Sequence, residues 1–404
     1  MTEASLNIRR AANQEAIAPL IELCKAGRLF DVQTWIAEGN PVNAPPPPEK
    51  GHRPKTPLEY AIDRGFHSLV QVLLEGGAIQ EPAGDDAPIY RALQAKRLDI
   101  VQLLVEHDFD PRTVDMHQVF GTWDPKIMDY FIERGAEIRA GQPFAWALCN
   151  RIRTALGVYK RHREQMPELQ QQADIALRHH CAEGNLKWVS LMLWAGADPF
   201  TPGFSHPEEE VDEDDEPWSA VGLAALLGHY EVFSLKPIRA GLPGPNPSEF
   251  VRYLTHGKGV EVLKSLLEKG LDPNDQPDGG CSAIEPCLES MSWDYVPSSY
   301  GRFWDGHRGA RKADTPRARE HIKAIHLLVR HGAKWKPADK KEIESARRSL
   351  LKLEPDYTLE FVWIMAKYQA CTFETVQELL RTPTIKSHMA SHRERLQELL
   401  ACWE

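Results

Sequence analysis

Hydrophobic positions recur along this chain in short stripes of helical period, each too brief to stand alone. In TPLEYAIDRGFHSLVQVLLEGGA, residues 56–78, Leu58, Ala61 and Ile62 share one helical face and Gly65 interrupts it. Leu69, Val70, Val72, Leu73 and Leu74 then form a second stripe that stops at Gly76-Gly77. Helices of that length are marginal in isolation. The same order of helix, turn, apolar second helix and Gly-containing exit returns in PLIELCKAGRLFDVQTWIAEGNPVN near the N-terminus, PIYRALQAKRLDIVQLLVEHDFDP from 88 and LRHHCAEGNLKWVSLMLWAGADP from 177. Further copies are AVGLAALLGHYEVFSLKPIRAGLP from 220, FVRYLTHGKGVEVLKSLLEKGLDPN from 250 and IKAIHLLVRHGAKWKP from 322, while IMDYFIERGAEI, 127–138, shows only a second half. Each unit has two apolar faces and no core of its own, so the burying surface is the next copy.

The spacing of successive exits locates what has been inserted. Gly77 to Asp108 spans 31 positions and Gly241 to Gly270 spans 29, close to one repeat each. Gly135 to Gly196 spans 61, which fits two repeats if PFAWALCNRIRTALGVYKRHREQM is a degenerate one. Gly39 to Gly77 is lengthened by the Pro-rich NAPPPPEKGHRPK, and Gly196 to Gly241 by an acidic run. Gly270 to Gly332 spans 62, but residues 291–319 have no helical periodicity and read as a long insertion inside one repeat.

These residues resemble ankyrin repeats, whose consensus runs T-P-L-H-x-A-x-x-x-G-H, an apolar helix, then L-L-x-x-G-A-D-x-N. Thr56-Pro57-Leu58, Ala61, Gly65, Leu73-Leu74 and Gly77-Ala78 match, with Glu59 where the family usually has His. Gly228-His229, Leu266-Leu267 with Gly270 through Asn274, and Leu327-Leu328 with Gly332-Ala333 match in other copies. The resemblance implies an all-α solenoid of stacked helix-turn-helix units. It covers an array at 14–337 of about nine degenerate repeats, after a lead-in at 1–13. It also implies a partner protein held on the concave face and turn tips, at positions just before the interhelix turn such as Asp63, Arg64, Gln94, Ala182 and Glu183.

Composition narrows the class further. The chain has 404 residues, 42% of them hydrophobic, enough for a continuous core, and it lacks an apolar run long enough to span a membrane. The start has no secretory layout. Seven scattered cysteines with no CxxC pair give neither a disulfide framework nor a zinc motif and point to a reducing cytoplasm. The net charge of −10 is local: EEEVDEDDE, 208–216, holds eight acids, and without them −10 becomes −2. This acidic insertion, bounded here at 204–217, reads first as a solvated loop and next as a docking strip for a basic partner.

The 291–319 insertion is the sharpest local signal. It concentrates Trp293, Tyr295, Tyr300, Phe303 and Trp304 with Arg302, His307, Arg308 and Arg311. Aromatic anchors beside Arg are the makings of a protein-binding hot spot, and the same mixture stacks on bases and neutralises phosphates. Folding back as a private mini-core, and pairing with the acidic loop, are further readings that stand. Arg151, Arg153, Lys160, Arg161 and Arg163 around Ile152, Leu156 and Tyr159 read as an amphipathic helix with a charged outer face. No domain is basic enough to favour non-specific DNA binding.

Catalytic patterns are missing: the sequence has no HExxH, GxSxG or GxxxxGK[ST]. RHHC, 178–181, places His179, His180 and Cys181 on successive helix positions, which point apart and cannot close on one ion, so no metal or cofactor is expected. From 338 to 404 the repeat pattern lapses into charged and apolar helices broken at Pro355 and Pro383, a helical C-terminal cap in which Phe361, Val362, Trp363, Ile364 and Met365 cover the last repeat. The expectation is a non-catalytic scaffold or regulator, a monomer or a subunit of a hetero-complex. The competing class is a nucleic-acid-associated or catalytic protein with its site in 291–319.

Overall fold

The computed structural model describes residues 10–46, 53–207, 217–242, 253–255, 258–274, 283–291, 316–401 and 403. Among these residues the regular structure is helical, with only two isolated bridges, Arg10 to Asn43 and Gly203 to Trp218. The fold is an all-α helical repeat. Two compact units divide the chain: Met1–Ala176 with His206–Glu213, and Leu177–Ser205 with Asp214–Glu404.

In the first unit five helix pairs follow one another: α1 (Gln14–Ala26) and α2 (Leu29–Ala37), α3 (Pro57–Arg64) and α4 (His67–Glu75), α5 (Pro88–Gln94) and α6 (Leu98–Glu106), α7 (Met116–Gly121) and α8 (Pro125–Glu133), α9 (Pro143–Cys149) and α10 (Arg153–His162). The first helices form one layer, α1 on α3, α3 on α5, α5 on α7 and α7 on α9. The second helices form another, with α2 on α4, α4 on α6 and α8 on α10. Ile17, Leu20, Leu58, Ile62, Val70, Leu73, Ile89 and Leu104 are buried between them, each such side chain contributing about 1.5–3 kcal/mol. The two apolar stripes of residues 56–78 therefore face neighbouring helices.

Local chemistry sets the ends. Thr56 caps α3 by accepting from Glu59 N–H, Glu59 reciprocates to Thr56 N–H at 2.7 Å, and Pro57 fills the first helical position, where no amide is needed. Between the helices of successive pairs one residue has left-handed backbone: Gly27, Gly65, Lys96, Trp123 and Arg151. Three of these are not glycine; the copy around Lys96 is still legible in the sequence, whereas those around Trp123 and Arg151 show only a half or a degenerate repeat. The half-repeat visible at 127–138 gains its first helix in α7, and the degenerate stretch from 143 forms α9 and α10 with Ile152, Leu156 and Tyr159 buried. Buried Gln172, on α11 (Glu168–Ala182), accepts from the Phe144 and Ala145 amides and donates to Ile138 C=O, tying down the start of α9.

The second unit contains α12 (Leu186–Ala195), α13 (Ala220–Leu226), a 3-10 turn at Tyr230–Ser234, α14 (Lys236–Gly241), α15 (Gly259–Glu268), α16 (Ile284–Met291) and α17 (Pro316–Arg330). The base of the acidic insertion is pinned by Gly203 and Trp218, which exchange backbone hydrogen bonds of 3.1 and 2.9 Å; residues 208–216 lie outside the described residues. α16 packs on α17, and Asn274 reaches from one exit to the next, donating to Gly332 C=O at 3.0 Å and accepting from Lys334 N–H at 2.7 Å. Asn43 does the same one repeat apart, to Gly77 C=O and from Ile79 N–H. The exits at 270 and 332 are thus neighbours, and residues 292–315 of the insertion expected between them lie outside the described residues. That insertion ends sooner than the sequence bound of 319, because Pro316 opens α17.

Beyond the repeats come α18 (Lys340–Leu351), α19 (Pro355–Lys367), α20 (Phe373–Leu380), α21 (Pro383–His388) and α22 (Arg393–Ala401). The two layers continue through them: α16 on α18 on α20, and α15 on α17 on α19. Gln369 takes the left-handed exit position, and Ala370 C=O receives the Trp335 amide at 2.7 Å. α18 and α19 are a repeat in packing without being one in sequence. Phe361, Val362, Ile364 and Met365 are buried and Trp363 half-buried, Phe361 standing edge-on to Trp335 at 5.3 Å. Leu359, Val362, Val376, Leu380, Ile385 and Met389 close a terminal core.

Candidate partner-binding surface

The left-handed turn residues order one edge of each unit. The residue that follows the left-handed position reaches back to the preceding turn: Phe66 lies over Gly27, and Arg97 lies over Gly65 and donates Nη1–H to its carbonyl at 2.5 Å. In the second unit His229 lies over Gly184 and donates Nε2–H to Ala182 C=O at 3.0 Å. A Cβ at Gly27 or Gly184 would collide with the ring above it. Glycine serves there twice, for φ near +70° and for the close approach.

Exposed apolar side chains gather at the turn edge of each unit. Seven large hydrophobic residues are exposed among the described ones, and six of them, Phe30, Phe66, Trp123, Leu186, Leu226 and Leu227, lie within three residues of an interhelix left-handed position. Phe30 is 79% exposed, Phe66 48% and Trp123 50%, whereas the other described phenylalanines are buried or half-buried. Trp194 is the exception in position. Sequence reasoning passed over these aromatics, although GRLF at 27–30 and RGF at 64–66 carry the signal of an aromatic just past a Gly turn.

The expected contact residues divide. Asp63 is exposed but engaged within the chain, accepting from Lys55 Nζ at 2.7 Å and Arg91 Nη1 at 3.3 Å. Arg64, beside it, is exposed, as are Gln94 and Glu183. Asp63 adjoins fully buried Glu59, whose carboxylate takes Arg53 through both oxygens at 2.7 and 2.8 Å and Arg91 Nε at 2.9 Å. Burial pushes the Glu59 carboxyl up, but the Arg53 hydrogen bonds, the Thr56 amide and the charges of Arg53 and Arg91 outweigh it and leave the pKa below its ordinary 4.5. Arg161, from the basic helix, pairs with Asp129 at 2.6 Å. Trp293, Tyr295, Tyr300, Arg302, Phe303, Trp304, Arg308 and Arg311 lie outside the described residues.

Four of the thiols among the described residues are not activated. Cys24, Cys181, Cys287 and Cys371 are free thiols, each pushed up to about 12 by burial, so thiolate is scarce at neutral pH. His179 and His180 do not converge with Cys181; they converge with Glu183, one helical turn on. No helix among the described residues is long and apolar enough to cross a membrane.

Comparison with known proteins agrees with the geometry. The family described as ankyrin repeats (3 copies) matches residues 20–115, and this segment of the chain consists of ankyrin repeats. Among solved structures, the chain is similar to the ankyrin repeat domain of Bcl-3, titled a unique member of the IkappaB protein family, at 20% identity over 45% of this chain and 87% of that one, with a TM-score of 0.34. No curated protein matches.

Proposed function

We propose that this protein binds a partner protein along the interhelix-turn edge of its repeats, without catalysing a reaction on it. The observation that carries this reading is the concentration of exposed aromatics at the turns: Phe30, Phe66 and Trp123 are large rigid anchors on backbone already fixed by packing. Exposed Arg64 and Gln94 supply a polar rim. Ankyrin repeats are generally protein-interaction modules, which supports the class and leaves the partner open. In the proposal the aromatic and basic residues of the 291–319 insertion offer a further contact of the same kind, and the free thiols among the described residues suit a reducing cytoplasm.

The test is affinity capture from native cytosol with quantitative mass spectrometry, using the wild type, Phe30→Ser with Trp123→Asn, and Trp304→Ala with Arg308→Ala. Asn tolerates the left-handed backbone at 123, so folding is kept and only the anchor is lost. Expected is at least a tenfold loss of one captured protein with the thermal midpoint unchanged, and capture that persists at high salt. Equal capture by all three proteins overturns the reading. Capture of nucleic acid that falls steeply with salt would move the function to the competing class.

A further inference from the structure

The last turn of α11 holds a cluster that the repeat architecture does not require. Each residue of an α-helix advances roughly 100°, so Glu183 stands about 40° from His179 in azimuth and about 60° from His180, between the two and one turn on. Its carboxylate lies between the two rings, with Oε1 3.6 Å from His179 Nε2 and Oε2 3.3 Å from His180 Nδ1. One nitrogen from each histidine and one carboxylate oxygen lie within 4.8 Å of one another. The longer contact exceeds a hydrogen bond and the shorter is at its limit. The contacts fall on different carboxylate oxygens, so one ion would take Glu183 through both oxygens, or through one after a turn of the carboxylate; each separation is near the ~3.4 Å between ligand atoms ~2.1 Å from a common ion.

Burial makes the arrangement more than a surface pair. His180 is fully buried, and its ring leans on Trp188 at 5.2 Å with 30° between the planes, so the donor nitrogen is oriented by packing. His179 and Glu183 are about a third exposed, which leaves an entry path and a side for a further ligand. We propose that His179 Nε2, His180 Nδ1 and Glu183 bind one divalent transition-metal ion of the zinc type, with water completing the shell. Two neutral imidazoles and one carboxylate favour zinc, nickel or copper over magnesium or calcium, which take all-oxygen shells. The three ligand atoms span up to 4.8 Å, so the half-buried His179 side chain would rotate to close the set. The ion would lock the end of α11 next to Ala182 and Gly184, the residues on which His229 of the following turn rests, and so stiffen one inter-repeat junction.

The experiment is calorimetric titration of the metal-stripped full chain with zinc chloride at pH 7.5, for the wild type, His179→Ala and Glu183→Gln. Both substituted positions are partly exposed, so the variants fold; His180 is left intact because its burial ties it to the core. Expected is one site per chain in the wild type that weakens at least tenfold in each variant. Cobalt substitution should give the intense visible bands of a four-coordinate ion in the wild type alone, and zinc should raise the thermal midpoint of the wild type only. Wild-type affinity equal to that of both variants, or no zinc binding by the wild type, overturns the proposal. The site rests on α11 and the residue that follows it, so failure of partner capture leaves it untouched.

Discussion

Glu59 shows how one unusual residue is absorbed into a repeat. In the position where the family usually has His, it closes the capping box of α3, takes Arg53 in a two-oxygen clasp and reaches Arg91 in the next repeat. With its folded pKa below the ordinary 4.5, the group is ionised more readily in the folded chain than in the unfolded one. The stability it contributes is therefore complete above pH 4.5 and is lost as pH falls through the depressed folded value. Glu59→Gln should cost about 1–2 kcal/mol at pH 7 in denaturant unfolding, and the two curves should converge as pH falls below about 4. Identical unfolding at pH 7 would mean the clasp is mechanically idle. The residue-scale features that were legible in the sequence are those with fixed backbone chemistry, such as Thr56-Pro57 and Gly65. The left-handed Lys96, Trp123 and Arg151 were not legible, because packing on both sides enforces a conformation that their side chains disfavour.

At the scale of elements, α18 and α19 carry the clearest divergence between pattern and packing. Their sequence departs from the repeat, yet α18 packs on α16 and α19 on α17, continuing both layers of the second unit. Trp335 sits at this junction, 1% exposed, with its amide bonded to Ala370 and its ring against Phe361. Trp335→Ala should lower stability by about 3–5 kcal/mol, the cost of a large buried aromatic, and should raise amide exchange through α17 and α19. Wild-type exchange in α19 would show that the C-terminal helices do not lean on the last repeat. Helix periodicity announced these elements and the breaks at Pro355 and Pro383. It did not announce their partners, since an apolar stripe says how much is buried and not against which face. α7 escaped the pattern for a related reason: six residues with three buried side chains are too short to show a period.

For the molecule as a whole, the physics of stacked repeats makes stability local. Each helix pair of the first unit is held mainly by the pair before and the pair after it. Leu104→Ala, at a fully buried position of α6, should cost about 2–5 kcal/mol and speed amide exchange in α4 to α6 more than in α9 and α10. A uniform rise across the first unit would instead mark it as a single cooperative block. The proposed contact edge belongs to the same logic, because turns repeat wherever pairs repeat and each can place a side chain in line with the last. Of the sequence-selected contact residues, Arg64 is exposed at that edge, whereas Asp63 is spent on Lys55 and Arg91.

By itself the sequence determined the repeated unit, its helical class and the places where it is interrupted, because helix period, Pro at a first turn and Gly at a left-handed turn act over a few residues. Only the tertiary structure decided that Asn274 joins the exits at 270 and 332, that the last helices pack as a repeat, that aromatics stand exposed beside the turns, and that Glu183 rather than Cys181 meets the paired histidines. The reason is physical: local backbone preference is written residue by residue, whereas exposure and convergence are settled by which neighbour arrives to cover a face.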